Sequence, residues 1–212
     1  MSVEDLDESI PMTKSLDLRI SDIVQKSFEH STSIYGFDKM PIVSLEEAVE
    51  PLTPFLGIEI QSYVSIAKEH NKTFSTVNGM TLDESASILL YLMEWQPYDH
   101  CISFVLNSIL RSAKRHKQIK SWFLYLKLLL TSLSKLPVVQ HPIYRAIKCD
   151  LSKDYPLGKT FTWWSFSSCT SSIDILQSEP ILGKSGPRTI FEIESGHSGK
   201  DLSQHSFRST EC

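Results

Sequence analysis

Cysteine is scarce in this chain, and what there is forms no motif. Four are present, Cys101, Cys149, Cys169 and Cys212, with no Cys-x-x-Cys spacing among 212 residues. That excludes a zinc ribbon and a dense disulfide framework, and it predicts reduced thiols. Long apolar runs are also missing. The longest, WFLYLKLLL at 122–130, carries Lys127 inside it and falls well short of the ~20 residues that span a bilayer, so no membrane span is predicted. There is no cationic surplus: 21 Lys and Arg against 25 Asp and Glu leave a net charge of −4, the wrong sign for a nucleic-acid partner. The N-terminus, MSVEDLDESIPMTK, lacks the apolar stretch of a secretory leader. Residues 1–40 are therefore read as a flexible segment and the protein as cytoplasmic. Glycine is sparse too, and GKSGP (183–187) matches neither a Walker loop nor a dinucleotide fingerprint. His197 and His205 stand at no metal-ligand spacing. They are predicted to be solvent-exposed, and no metal site is predicted.

What is present is enough apolar residue, 41%, to build a sizeable core. SLEE (44–47) and TLDE (81–84) have the form of a capping box, in which the hydroxyl accepts from the amide three residues on and the glutamate reaches back. After the second box, Ala86, Leu89, Leu90 and Met93 recur at helical spacing, as do Ile102, Val105, Leu106, Ile109 and Leu110. WFLYLKLLLTSLSKL (122–136) is apolar nearly all round and predicts a helix buried on most sides, closed by Pro137. The basic run RSAKRHKQIK (111–120) reads as a solvated helix end suited to the helix dipole, or else as a phosphate- or partner-binding patch.

The character changes after Pro137. IYRAIKC (143–149), FTWWSFSSC (161–169) and RTIFEIES (188–195) are short and rich in aromatic and β-branched residues, and YPLG (155–158) and GKSGP act as turn signals between them. The pattern predicts an α+β chain, with helices over 41–137 and strands over 138–212.

Two stretches stand out for chemistry. In IYRAIKC a period of two places Ile143, Arg145, Ile147 and Cys149 on one face. An arginine on an otherwise apolar face needs an anion or carbonyls, because it cannot shed its charge. Either this is an edge strand whose Arg145 snorkels or pairs with an acid, or Arg145 lines a cleft and binds a phosphate. In WWSFSSCTSS (163–172) aromatic residues lead into a run of hydroxyls. That is either a strand entering a capped helix or the aromatic wall of a nucleotide cleft with a hydroxyl to position a ribose or an acid.

Taken in order, Tyr-Arg on a strand, an aromatic strand ending in Ser-x-Thr, and a loop leading to Glu, the chain resembles the arginine-specific mono-ADP-ribosyltransferases. The family's signature is Arg, then Ser-x-Ser, then Glu-x-Glu. YRAIK is similar to its motif strand, which makes Arg145 the motif arginine with Tyr144 and Ala146 beside it. FSSCT is similar to its serine segment, which makes Ser168 the motif serine and Thr170 its companion, with Trp164 in the aromatic lead-in. The resemblance covers roughly residues 40 to 212.

The resemblance implies an N-terminal helical region followed by a split antiparallel β-sheet core, with the two parts making one catalytic domain and residues 138–212 binding NAD+. It implies transfer of ADP-ribose from NAD+ to protein arginine residues with release of nicotinamide, without a metal, and an arginine-containing acceptor protein as partner. Arg145 would neutralise the pyrophosphate and Ser168 would hold a carboxylate. Tyr144, Ala146, Trp164 and Thr170 would line the dinucleotide. In STEC (209–212), Glu211 falls at the first glutamate, the one that engages the acceptor guanidinium. The second would come just past Cys212. The resemblance therefore implies a core truncated at its C-terminus, less stable than a longer version for want of a strand. It leaves a catalytically silent NAD-binding module as the alternative, and a purely helical interaction domain as a third reading. Ala146 stands where the family often has Gly, and a partly exposed Cys169 would be oxidisable.

Overall fold

The computed structural model describes residues 34–72, 79–177, 182–183, 185–194 and 199–205. Their contacts divide the chain into two units. One, helical, is drawn from Ser27–Gln140, Thr162–Ser167 and Ser195–Cys212, and the other from His141–Phe161 and Ser168–Glu194 among the described residues. The composition is mixed, helices and a small antiparallel sheet, so the chain is α+β. Among the described residues no helix is long and apolar enough to cross a membrane.

The helical unit holds α1 (Leu45–Val49), α2 (Thr53–Leu56), α3 (Ile60–Asn71), α4 (Leu82–Leu92), α5 (Ile102–Arg111), α6 (Arg115–Gln118) and α7 (Phe123–Lys135). Both predicted capping boxes form, Ser44 with Glu47 at the head of α1 and Thr81 with Glu84 at the head of α4. Helix α4 lies at the centre, packed against α3, α5 and α7. The apolar stripe expected on one side of it is extended by burial of Ser85, Ser87, Ile88 and Leu92, so nearly all of its circumference is covered. Small hydroxyls make that possible. Ser87 and Ser132 lie 3.3 Å apart between α4 and α7, and each returns its hydroxyl to its own helix, on Glu84 and Leu128 carbonyls at 2.7 Å. Helix α7 is buried or half-buried along Phe123–Leu133, as its all-round apolar sequence predicts.

The second unit is built on β1 (Ile143–Ile147), antiparallel to β2 (Thr189–Ile193), with Arg145 opposite Phe191 and Tyr144 opposite Glu192. A short helix, α8 (Ile173–Leu176), packs on it. Gly158 closes the YPLG turn at φ 81, a region glycine enters without strain. On one sheet face Ala146 meets Leu176 and Leu182. On the other, Phe191 meets Tyr155 edge-on at 4.8 Å between ring centres, and Tyr155 meets Phe161 at 4.9 Å. Alternation therefore holds, but both faces of β1 are covered, and Ala146 on the face opposite Arg145 is 1% exposed.

The strand expected over 161–169 does not form a ladder. Within it, Thr162–Ser167 belong to the helical unit. Phe166 N donates to Asn107 Oδ1 at 3.0 Å, and Ser165 Oγ accepts from Arg111 at 3.3 Å. The rings are engaged there too, with Phe166 tilted against Tyr91 at 5.3 Å. Bonds to α5 and the ring contact with α4 take the place of a β-ladder at Ser165 and Phe166.

Candidate functional site

The proposed site starts from β1. Its two ends of sequence, Tyr144-Arg145 and Ser168-Cys169-Thr170, run antiparallel through a single bridge: Tyr144 N donates to Thr170 O at 2.7 Å, and Thr170 N donates to Tyr144 O at 2.9 Å. One step along, Arg145 Nη1 donates to the Ser168 carbonyl at 2.8 Å. The Arg145 side chain is 3% exposed. A guanidinium at that burial needs acceptors, and this carbonyl is one of them. One arm of the Arg145 guanidinium thus holds protein backbone.

The other predicted residues fall at different depths. Ser168 is exposed and Thr170 is buried. The Thr170 hydroxyl accepts from Ser172 N at 3.2 Å, which turns the chain toward α8. Ala146 is packed into the small cluster with Leu176 and Leu182 rather than open to solvent. Tyr144 shares the face of Ala146 and carries its hydroxyl within 3.5 Å of Glu192 Oε1, an exposed contact. Glu192 is the carboxylate that sequence reasoning missed. Its place opposite Tyr144 is a matter of cross-strand register, and nothing in RTIFEIES marks it.

Trp164 belongs to the helical unit. The Arg115 guanidinium lies over its ring, 4.1 Å from the centroid, and donates to Leu110 O at 3.4 Å. Arg115 is fully buried, an exception within a basic run that is otherwise mostly exposed, as a solvated helix end would be. Burial lowers its pKa from the usual guanidinium value, yet so strong a base stays charged. The aromatic face supplies what water would otherwise give. Lys114, Lys117 and Lys120 of the same run are exposed. Trp164, Ser165 and Phe166 also border an open, mostly apolar cavity of about 210 Å³ with Phe37, Leu110 and Leu126.

Glu211 and His197 lie outside the described residues. His205 is described and is buried, not exposed as its polar neighbourhood suggests. Among the described residues no three His, Cys, Asp or Glu side chains gather in a way that could hold a metal ion. The structure thus brings together Tyr144, Arg145, Ser168 and Thr170, with Ala146 one residue along β1.

No protein-family model matches the chain, and no curated protein matches it. Among solved structures it is similar to Vis toxin, an ADP-ribosyltransferase from Vibrio Splendidus. The identity is 19% and the TM-score 0.40, over 82% of this chain and 76% of that one. A similarity at that level does not establish a shared fold.

Proposed function

We propose that the chain is an NAD+-dependent ADP-ribosyltransferase acting on protein arginine residues, with residues 41–137 and 138–212 making one catalytic domain. The observation that supports this reading is the pairing of the Arg145 and Ser168 segments. Two stretches singled out for their chemistry, 23 residues apart, meet through a side-chain bond and a backbone bridge. In the reaction the nicotinamide–ribose bond breaks with positive charge developing on the sugar, so a carboxylate near the ribose would stabilise it. Glu211 is the residue proposed to engage the acceptor guanidinium. Ser168, being exposed, is free to position a carboxylate, and Trp164 and Tyr144 are each proposed as NAD+-binding residues. NAD+ is the substrate, and no metal is invoked.

A catalytically silent NAD+-binding module is the second reading. Under either reading the bond from Arg145 to the Ser168 carbonyl takes part of its fork, and the remainder is proposed to meet the pyrophosphate. Nicotinamide release from NAD+, with and without agmatine as guanidino acceptor, separates the two when run beside calorimetric NAD+ binding. Agmatine-dependent release that Ser168→Ala reduces supports the transferase. Binding without release supports the silent module. A chain that neither binds NAD+ nor releases nicotinamide refutes both.

A further inference from the structure

His205 ends the described stretch 199–205, which docks on the helical unit. Val139 N donates to Gly199 O at 3.0 Å, Asp201 N donates to Pro137 O at 3.4 Å, and Lys200 Nζ reaches Leu136 O at 2.9 Å. Leu202 packs on the helical core. The last contact is the histidine ring, 2% exposed. Its Nδ1 lies 3.3 Å from Oγ of Ser85, a fully buried hydroxyl in the first turn of α4. Nε2 is buried without a hydrogen-bond partner among the described residues.

A neutral imidazole fits this niche as the tautomer whose Nδ1–H donates to the Ser85 hydroxyl, which leaves no hydrogen on the enclosed Nε2. An imidazolium does not. Both nitrogens would then be donors, and Nε2–H would face no acceptor among the described residues. The charge would also sit at the positive end of the α4 dipole. The surrounding charges do not repair this. Glu84, beside Ser85, is already engaged by Thr81 N and Lys135 Nζ, each at 2.7 Å. Lys135 and Lys200 are themselves cations. Asp201 attracts a proton to the ring, but burial outweighs it and the His205 pKa lies below the ordinary value of 6.5.

We propose that His205 is a pH-sensitive latch: neutral, it holds residues 199–205 on the first turn of α4, and protonated, it lets them go while the helical core stays folded. Above pH 6.5 docked and released rings are both neutral and the latch is at full strength. Below it the released ring binds a proton that the docked ring refuses. The docked-to-released ratio then falls by up to about tenfold per pH unit until the lower, docked pKa is reached. The inference does not depend on ADP-ribosyl transfer.

Hydrogen exchange on the full chain at pH 7.5 and 5.5, corrected for the intrinsic pH dependence of exchange, tests it. The amides of Asp201 and His205 should lose protection by about tenfold at the lower pH, with Leu89 in α4 unchanged. His205→Phe should make the Asp201 amide insensitive to pH. Equal protection of Asp201 and His205 at both pH values overturns the latch, and so does a parallel loss at Leu89, which would mean that the whole unit opens. A pH dependence retained in His205→Phe overturns the assignment to this residue. Should that variant not fold, the wild-type comparison decides by itself.

Discussion

Arg145 donates to the Ser168 carbonyl at 2.8 Å, and the residues on either side of this bond, Tyr144 and Thr170, exchange both backbone hydrogen bonds. The side chain therefore fastens a ladderless segment to the edge of β1, where the backbone alone supplies a single bridge. A hydrogen bond from a charged donor is worth more than a neutral one, and at this burial its loss leaves a carbonyl without that donor.

Replacing Arg145 with Ala should therefore cost about 2–4 kcal/mol, combining the lost charged bond with the lost packing of the side-chain stem. Arg145→Lys, which keeps a donor but not its reach, should cost less. Urea unfolding measures both. If Arg145→Ala stays within ~0.5 kcal/mol of wild type, the contact carries no weight.

Ala146 has no room to grow. It is 1% exposed against Leu176 and Leu182, so Ala146→Leu should lower stability by about 1–3 kcal/mol through overpacking. Ile190, its cross-strand partner, is 42% exposed, and Ile190→Thr should be nearly silent. Thermal melts of the two variants side by side distinguish a filled niche from a tolerant sheet.

Glu84 links α4 to the end of α7. Burial raises its carboxyl pKa, but the Lys135 ammonium and the Thr81 amide together outweigh that, and the pKa ends below its usual 4.5. Because the folded value is the lower one, this stabilisation is complete above about pH 4.5 and is lost as pH falls through the folded pKa. Glu84→Gln should destabilise the chain at pH 7 by about 1–3 kcal/mol. It should also flatten the acid limb of the stability curve. An acid limb of wild-type steepness in that variant would show that Glu84 does not contribute to it.

Arg115, fully buried, forms a cation–π pair with the half-buried Trp164. Arg115→Met, close in length but uncharged, should cost about 0.5–2 kcal/mol. The loss should change little between low salt and about 1 M NaCl, because a buried charge is poorly screened. A loss that vanishes in salt would mean that Arg115 acts as a surface charge.

Much of the helical unit is legible along the chain because its signals are local. A capping box needs only four consecutive residues, and Ser44–Glu47 and Thr81–Glu84 close as their spacing requires. The near-continuous apolar sequence of α7 likewise implies burial on most sides before any partner is known. The segment 161–169 went differently because β-propensity states a preference, not a partner. Asn107 and Arg111 on α5 hold Phe166 and Ser165, and no pattern within FTWWSFSSC names them.

The sequence by itself determined where helices begin, where short strands replace them, and that Arg145 must find acceptors within the fold, since period and charge are properties of neighbouring residues. Tertiary structure alone decided which acceptor Arg145 takes, that Arg115 lies on Trp164, that Glu192 faces Tyr144, and that His205 is buried against Ser85. Each of these joins residues from about 23 to 120 positions apart. Burial and register set such pairs, and both exist only once the chain has closed on itself.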